Sequence, residues 1–240
     1  MNDLKNAFVK LIDVMLELRQ KCPWDKVQTN ETLRYLTLEE CYELSDSILA
    51  NNYQGIKEEL GDILLHVIFY SIIGSENKQF NLLDVINSQT KKLIDRHPHI
   101  YSNVQVKDVK EVKKNWELLK LKKNKSVLSG VPDSMPAMLK SYRIIEKVRG
   151  VGFDFSDSSH SLDKVYEEIE EFKSEIEAGN TRNATEELGD LLFSLIAYSQ
   201  KLGINSINAL DLTNKKFSSR FNKLENLISH EEKTISDYSS

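Results

Sequence analysis

Eight carboxylates fall into two matched sets along this 240-residue chain. The first set is Glu40 and Glu43 followed by Glu59 and Asp62; the second is Glu168 and Glu171 followed by Glu187 and Asp190. Corresponding members are 128 residues apart in every case. In both copies an E-x-x-E pair is answered by an E-L-G-D, Glu58-Glu59-Leu60-Gly61-Asp62 and Glu186-Glu187-Leu188-Gly189-Asp190. Residues three apart on a helix are surface neighbours, so two facing helices would bring four carboxylates to one spot. Such a cluster repels itself unless a cation fills it. Oxygen-only donors suit a hard cation, Mg²⁺ first, with Mn²⁺ as a substitute. One E-x-x-E in a chain with 29% charged residues is ordinarily a solvated helix face; a repeated quartet is not. Asp190 sits in the apolar run Leu188 to Phe193, where a carboxylate without a partner costs several kcal/mol. Gly189 costs roughly 1 kcal/mol against Ala in a helix interior, which predicts that another backbone or a ligand comes close there.

Cations stand where a phosphate chain would want them. Lys164 is four residues before Glu168 and therefore one turn up the same face. Lys216 and Arg220 are likewise four apart. Arg forks onto phosphate oxygens and Lys offers a point charge. The counterpart of Lys164 in the first copy is Leu36. The N-terminal quartet thus keeps its acids and lacks the cation above them, so the C-terminal copy is the one expected to do chemistry.

Helices must position these groups. Leu4, Phe8, Leu11, Met15 and Leu18 recur at three- and four-residue steps, an amphipathic helix that ends at Cys22-Pro23-Trp24-Asp25. Further helices are expected over 32–50, 56–73, 82–95 and 109–121 in the first half. The second half repeats the plan over 137–148, 162–178, 184–202 and 207–227. The helices after each acidic pair, 56–73 and 184–202, are apolar on most sides and expected to be buried. Lys122 to Pro136, with its Lys-rich start and Gly-Val-Pro and Met-Pro steps, reads as a linker. The expected organisation is an N-terminal domain 1–121, a linker 122–136 and a C-terminal domain 137–240. The fold class is all-α, a tandem duplication of helical-bundle domains.

Nine Gly and four Pro signal few turns, as long helices require. A net charge of −5 argues against a broad basic nucleic-acid surface. Cys22 and Cys41 form no disulfide framework, which fits a reducing compartment. The longest apolar run, Ile63 to Ile73, is too short to span a bilayer. These features read as a soluble, cytoplasmic protein without nucleic-acid or membrane partners.

The ordered motifs closely resemble the MazG family of nucleoside triphosphate pyrophosphohydrolases in its two-domain bacterial form. The resemblance rests on Cys22-Pro23-Trp24-Asp25-Lys26-x-Gln28-Thr29, both acidic quartets, Arg96-His97-Pro98-His99, and Trp116-Glu117-x-x-Lys120. It continues through Ser126-Val127-Leu128-x-Gly130-Val131-Pro132, Val151-Gly152-Phe153-Asp154 and Lys216-Phe217-x-x-Arg220-Phe221. It implies an all-α homodimer that uses Mg²⁺ to split NTPs and dNTPs at the α–β linkage into monophosphate and pyrophosphate. Glu168, Glu171, Glu187 and Asp190 match the family's metal ligands, and Lys164, Lys216 and Arg220 its nucleotide-binding positions. Glu40, Glu43, Glu59 and Asp62 would form a second, N-terminal metal site without activity. The tail from Ser229 offers Tyr238 where some members use another aromatic residue.

A second class of function stays open: a non-catalytic helical module that binds nucleotides or a protein partner, at least in the N-terminal half. A di-iron bundle would want paired Glu-x-x-His motifs, and no Glu here has a His three residues later. No His-Asp dipeptide occurs either, which excludes a phosphohydrolase built on one. His66, in an apolar run, is expected to be a hydrogen-bonded core or interface residue, with Ser194 as its counterpart. His97 and His99 flank Pro98 and are expected to cap a helix end. Trp24 and Phe153 are expected either to stack on a base or to pack in the core.

Overall fold

The computed structural model describes residues 1–109, 111–112, 115–116, 118–119, 126–154 and 158–228, without the side chains of Ser158 and Ser159. Among them there is no strand. The helices are α1 (Asn2–Lys21), α2 (Pro23–Val27), α3 (Asn30–Leu49), α4 (Tyr53–Glu76), α5 (Leu82–Arg96), α6 (Pro98–Tyr101), α7 (Ala137–Gly150), α8 (Ser158–Glu177), α9 (Thr181–Lys201) and α10 (Ser206–Ile228). Between α6 and α7, the described residues Val109, Glu111, Val112, Asn115, Trp116, Leu118 and Leu119 are helical. Lys120 and residues 121–125 and 229–240, including Tyr238, lie outside the described residues. The chain divides into two compact units, Met1–Val104 and Gln105–Ser240. No helix among the described residues is long and apolar enough to cross a membrane.

The duplication holds at the level of single turns. α3 and α8 begin and end 128 residues apart, and so do the starts of α4 and α9. The turn between the paired helices is three residues long in both halves. Asn51 in the first turn has φ +53° and Gly179, its counterpart, φ +71°. Gly and Asn are the residues that adopt this left-handed conformation at least cost. The next residue caps the following helix: Asn52 Oδ1 accepts from Gly55 N at 3.1 Å, and Asn180 Oδ1 from Asn183 N at 3.3 Å. Each cap satisfies an orphan N–H and fixes where the second helix starts. The E-L-G-D therefore falls at the same height opposite the E-x-x-E in both units. The α3/α4 and α8/α9 hairpins are the most closely packed helix pairs of their units.

In the first unit, Met15, Leu33, Ile68, Phe69, Ile72 and Ile73 form the core, with Phe8, Leu11, Leu36, Leu65 and Tyr70 packed around it. Each such large side chain contributes about 1.5–3 kcal/mol by leaving water. Arg19 ties the edge of this core together. Its guanidinium forks onto Glu76 (Nε–Oε1 2.9 Å, Nη2–Oε2 2.8 Å) and donates from Nη1 to the carbonyls of Asp25 and of Gln28, the latter at 3.0 Å. It also lies over the Phe69 ring at 5.6 Å. One side chain thus joins α1, α2 and α4. Cys22 is the extended residue between α1 and α2, and Pro23 opens α2, where its missing N–H costs nothing. Thr29 and Thr32 then form a reciprocal capping box at the start of α3.

The core of the second unit is smaller: Ile145, Ile196 and Ala197, with Met138 and Tyr142 against it. Arg149 performs the joining role here, pairing with Asp154 at 2.9 Å and donating to the Ala197 carbonyl at 2.9 Å. Lys147 is buried and donates to the Val127 carbonyl at 2.9 Å, which docks the Ser126–Pro136 segment on α7.

The expectation that α4 and α9 are buried needs correction. The core-facing sides of α4 are buried, but Leu60, Leu64 and Val67 are exposed. In α9 only Ala184, Ile196 and Ala197 are buried, whereas Leu188, Leu192 and Leu195 are exposed. The apolar residues outnumber the positions that neighbouring helices of the same unit can cover, so the excess faces outward.

Candidate functional site

The α3/α4 and α8/α9 hairpins each gather three carboxylates. One oxygen from each of Glu40, Glu43 and Glu59 lies within 4.8 Å of the others, and Glu168, Glu171 and Glu187 are arranged alike. Asp62 and Asp190 belong to neither triplet. They are close enough to act electrostatically. The Glu40 carboxyl is held above its ordinary range by burial first, then by the charges of Asp62, Glu43 and Glu59. Glu187 is raised by burial and by Glu171, Asp190, Glu168 and Glu175. Burial and the neighbouring negative charges together disfavour ionisation of these carboxyls. Asp190 is exposed on α9, not embedded in apolar surroundings, and among the described residues no group from outside its own helix packs against Gly61 or Gly189. No other backbone approaches Gly189 among the described residues, because that face of α9 turns outward.

Burial separates the two triplets. Glu168 is 4% exposed, while Glu40 is half-buried. A buried carboxylate needs a partner, and Glu168 has one. Lys164 Nζ stands 2.7 Å from Glu168 Oε1 and 3.0 Å from Glu167 Oε1. The pairing raises the ammonium's pKa, through the hydrogen bond to Glu168 and then the one to Glu167. In the first unit Leu36 fills the equivalent place and packs on the core. Lys216 and Arg220 sit exposed, one turn apart on α10. Neither pairs with a carboxylate among the described residues, so they join the site only as the resemblance implies.

The other singled-out residues fall into place less uniformly. Trp24 and Phe153 are exposed, so neither packs in the core. His97 lies between α5 and α6 and its Nδ1 meets the Leu93 carbonyl at 2.6 Å, a capping role. His66 departs from expectation: it is 6% exposed, yet its Nδ1 has no hydrogen-bond partner among the described residues. Sequence reasoning passed over Asn52 and Asn180. Their signal was present as an Asn just before each E-L-G-D helix.

The donor set fits a divalent cation of the hard class. Three carboxylates converge, their neighbours' charges add to burial in raising Glu187, and a triplet leaves coordination open to water or phosphate.

Comparison with known proteins bears on the same residues. The family model described as MazG nucleotide pyrophosphohydrolase domain matches twice, over residues 28–101 and 157–224, the stretches that carry the two hairpins. The chain is 39% identical over 229 residues to a Thermotoga maritima protein named Nucleoside triphosphate pyrophosphohydrolase/pyrophosphatase MazG, covering 92% of this chain and 86% of that one. It is 35% identical over 233 residues to the Escherichia coli K12 Nucleoside triphosphate pyrophosphohydrolase, covering 93% and 89%. A Bacillus subtilis protein named Uncharacterized protein YabN is 38% identical over 243 residues, 98% of this chain and 50% of its own length.

Proposed function

This chain belongs to the MazG nucleotide pyrophosphohydrolase family, and from that premise we propose that it hydrolyses nucleoside triphosphates and their deoxy forms at the α–β linkage. It is a hydrolase of phosphoric anhydrides, and the products of this cleavage are a nucleoside monophosphate and pyrophosphate. The C-terminal triplet with Asp190 is the catalytic site. The observation that carries this reading is Lys164 on Glu168 at 2.7 Å, a cation poised over acids in that unit and replaced by Leu36 in the other.

Glu168, Glu171 and Glu187, with Asp190, would hold Mg²⁺, which would supply charge neutralisation and Lewis acidity toward phosphate oxygens and water. One of Glu168 or Glu171 orients the attacking water and takes its proton. The water oxygen bonds to the α-phosphorus in line with the α–β bridge. The bridging P–O bond breaks, and its electron pair leaves on pyrophosphate. Lys164 gives up part of its pairing with Glu168 to meet a phosphate oxygen, and Lys216 and Arg220 add cationic donors from α10.

The test is product analysis. With Mg²⁺ and several NTPs, purified protein releases pyrophosphate and monophosphate; stoichiometric orthophosphate from protein free of inorganic pyrophosphatase would overturn the reading. Glu171→Gln abolishes turnover and Glu43→Gln does not; the reverse result reassigns the active half.

The homodimer is proposed on the outward apolar stripes. Leu60, Leu64 and Val67 recur 128 residues later as Leu188, Leu192 and Leu195, all exposed. Two stripes in one register suit a second copy, and light scattering reads the mass directly. A cytoplasmic setting, where nucleoside triphosphates are held, belongs to the same proposal. A second reading is favoured for the N-terminal half by Leu36 beside an intact triplet: it binds without turning over. Nucleotide binding by Glu171→Gln protein without product is the result expected of it.

A further inference from the structure

Lys164 has two carboxylate partners. Its Nζ stands 2.7 Å from Glu168 Oε1 and 3.0 Å from Glu167 Oε1. Both acids lie one turn further along α8, and their surroundings differ. Glu168 is buried and belongs to the triplet with Glu171 and Glu187. The Glu167 side chain is 54% exposed and belongs to neither triplet. An exposed pair one turn apart ordinarily contributes little to stability, and Lys before Glu is the less favourable order within a helix. Helix stability therefore gives no reason for the second partner. The first unit supplies the comparison. Glu39 is the counterpart of Glu167, exposed on α3, with Leu36 where the lysine would be.

We propose that Glu167 is a positioning residue for Lys164: it is the acceptor on which the ammonium stays when Glu168 turns to a divalent cation. This rests on the reading of the C-terminal triplet as the catalytic site. A cation drawn into the triplet and the Lys164 ammonium compete for one carboxylate, and two positive groups at that range repel each other. Lys164 is therefore displaced from Glu168 as the cation enters. With no second acceptor, the ammonium would either hold Glu168 against the cation or move off into water and lose its place beside the phosphate chain. Glu167 prevents both. It already carries the ammonium at 3.0 Å, so release from Glu168 needs little movement of the lysine stem. Its exposure keeps the pairing weak enough for Lys164 to be shared with a phosphate oxygen. Lys164 thus has two stations on adjacent residues, Glu168 before the cation enters and Glu167 after. Buried Glu168 faces a positive charge in both.

The test is calorimetric titration of the whole chain with Mg²⁺, in a Glu43→Gln background where the N-terminal triplet lacks one of its acids. Glu167→Gln keeps the side chain's shape and removes its charge. Mg²⁺ affinity should fall about three- to tenfold, the size of a charge-assisted hydrogen bond at a half-exposed site. Lys164→Met should bind Mg²⁺ more tightly, having no ammonium to displace. Glu167→Gln added to Lys164→Met should then change nothing, because no ammonium remains to be placed. Lys164→Gln, which leaves Glu168 a hydrogen-bond donor, carries the same comparison where Lys164→Met does not fold; circular dichroism decides. Unchanged affinity in Glu167→Gln overturns the proposal. Equal weakening with and without the lysine overturns it too, by making Glu167 a distant charge only. Pyrophosphate release at limiting Mg²⁺ should fall in Glu167→Gln and recover as Mg²⁺ is raised, a rescue that a folding defect would not show. Mg²⁺ binding without any pyrophosphate release sinks the catalytic reading while the titrations still decide the role of Glu167; no Mg²⁺ binding at all overturns both.

Discussion

Lys164 Nζ lies 2.7 Å from Oε1 of Glu168, the buried member of the C-terminal triplet. The pair solves two problems at once. It compensates a carboxylate withdrawn from water, and it holds a cation at the edge of an anionic site. Lys164→Met removes the charge and keeps the stem. We expect kcat/KM for pyrophosphate release to fall about 10–100-fold, the size of a lost charge-assisted hydrogen bond. We also expect a lower Tm, because Glu168 is left buried and unpaired. Unchanged kcat/KM with a lowered Tm would make Lys164 a structural lysine only.

The crowded carboxyls predict how stability depends on pH and cation. Glu40 and Glu187 both sit above their ordinary value of 4.5 in the folded chain. The fold therefore binds their protons more tightly than the unfolded chain does. The ionisation penalty is absent below the unfolded value and fully present above the raised folded value, so their contribution to stability falls as pH rises through that window. A divalent cation removes the penalty. The stability gain on adding Mg²⁺, read as a rise in Tm, should be larger at pH 7.5 than at pH 4.5, approaching about 2.7 kcal/mol at one hundred times Kd. Equal gains at both values would exclude the clusters as the sites of binding.

Arg19 predicts a separable stability effect. It forks onto Glu76 and holds the Asp25 and Gln28 carbonyls, so α2 has no other comparable tie to α4 among the described residues. Arg19→Ala should destabilise the first unit by about 1–3 kcal/mol, while Glu76→Gln, which leaves the carbonyl bonds in place, should cost less. Denaturant unfolding measures both. If the two substitutions cost the same, the carbonyl bonds contribute nothing.

The paired turns make a backbone prediction. Gly179→Ala places a Cβ at φ +71°, a cost of about 1–2 kcal/mol. Asn51→Gly, at φ +53° in the matching turn, should be nearly neutral. Asn180→Ala should cost about 1 kcal/mol by removing the cap on α9. Because α9 carries Glu187, both second-unit changes should lower activity more than their first-unit counterparts. Thermal melts and pyrophosphate release, read side by side, check the pattern.

Much of this was legible in the linear chain. A repeat at one constant offset already implied two equivalent hairpins, since helical spacing dictates which residues share a face. The helices with strong periodicity appear where expected, with ends shifted by a few residues. Those shifts have local causes: Asn52 extends α4 backward through its cap, and Pro23 opens a short helix where a break was expected. Cap and turn residues act through hydrogen bonds of one or two groups, which a hydrophobic pattern does not register.

What the chain determined alone was composition at each height: four acids per copy, Lys164 in one and Leu36 in the other, His66 against Ser194. Only the tertiary structure decided that three acids of each copy converge while Asp62 and Asp190 lie outside the triplets. Only it decided that Glu168 is the buried one, that Leu188 and Leu192 face outward, and that His66 Nδ1 is left without a partner among the described residues. The physical reason is that burial and convergence belong to pairs of elements. Spacing along one helix says which side a residue is on; what lies opposite that side depends on which helix packs there and how much of it is covered.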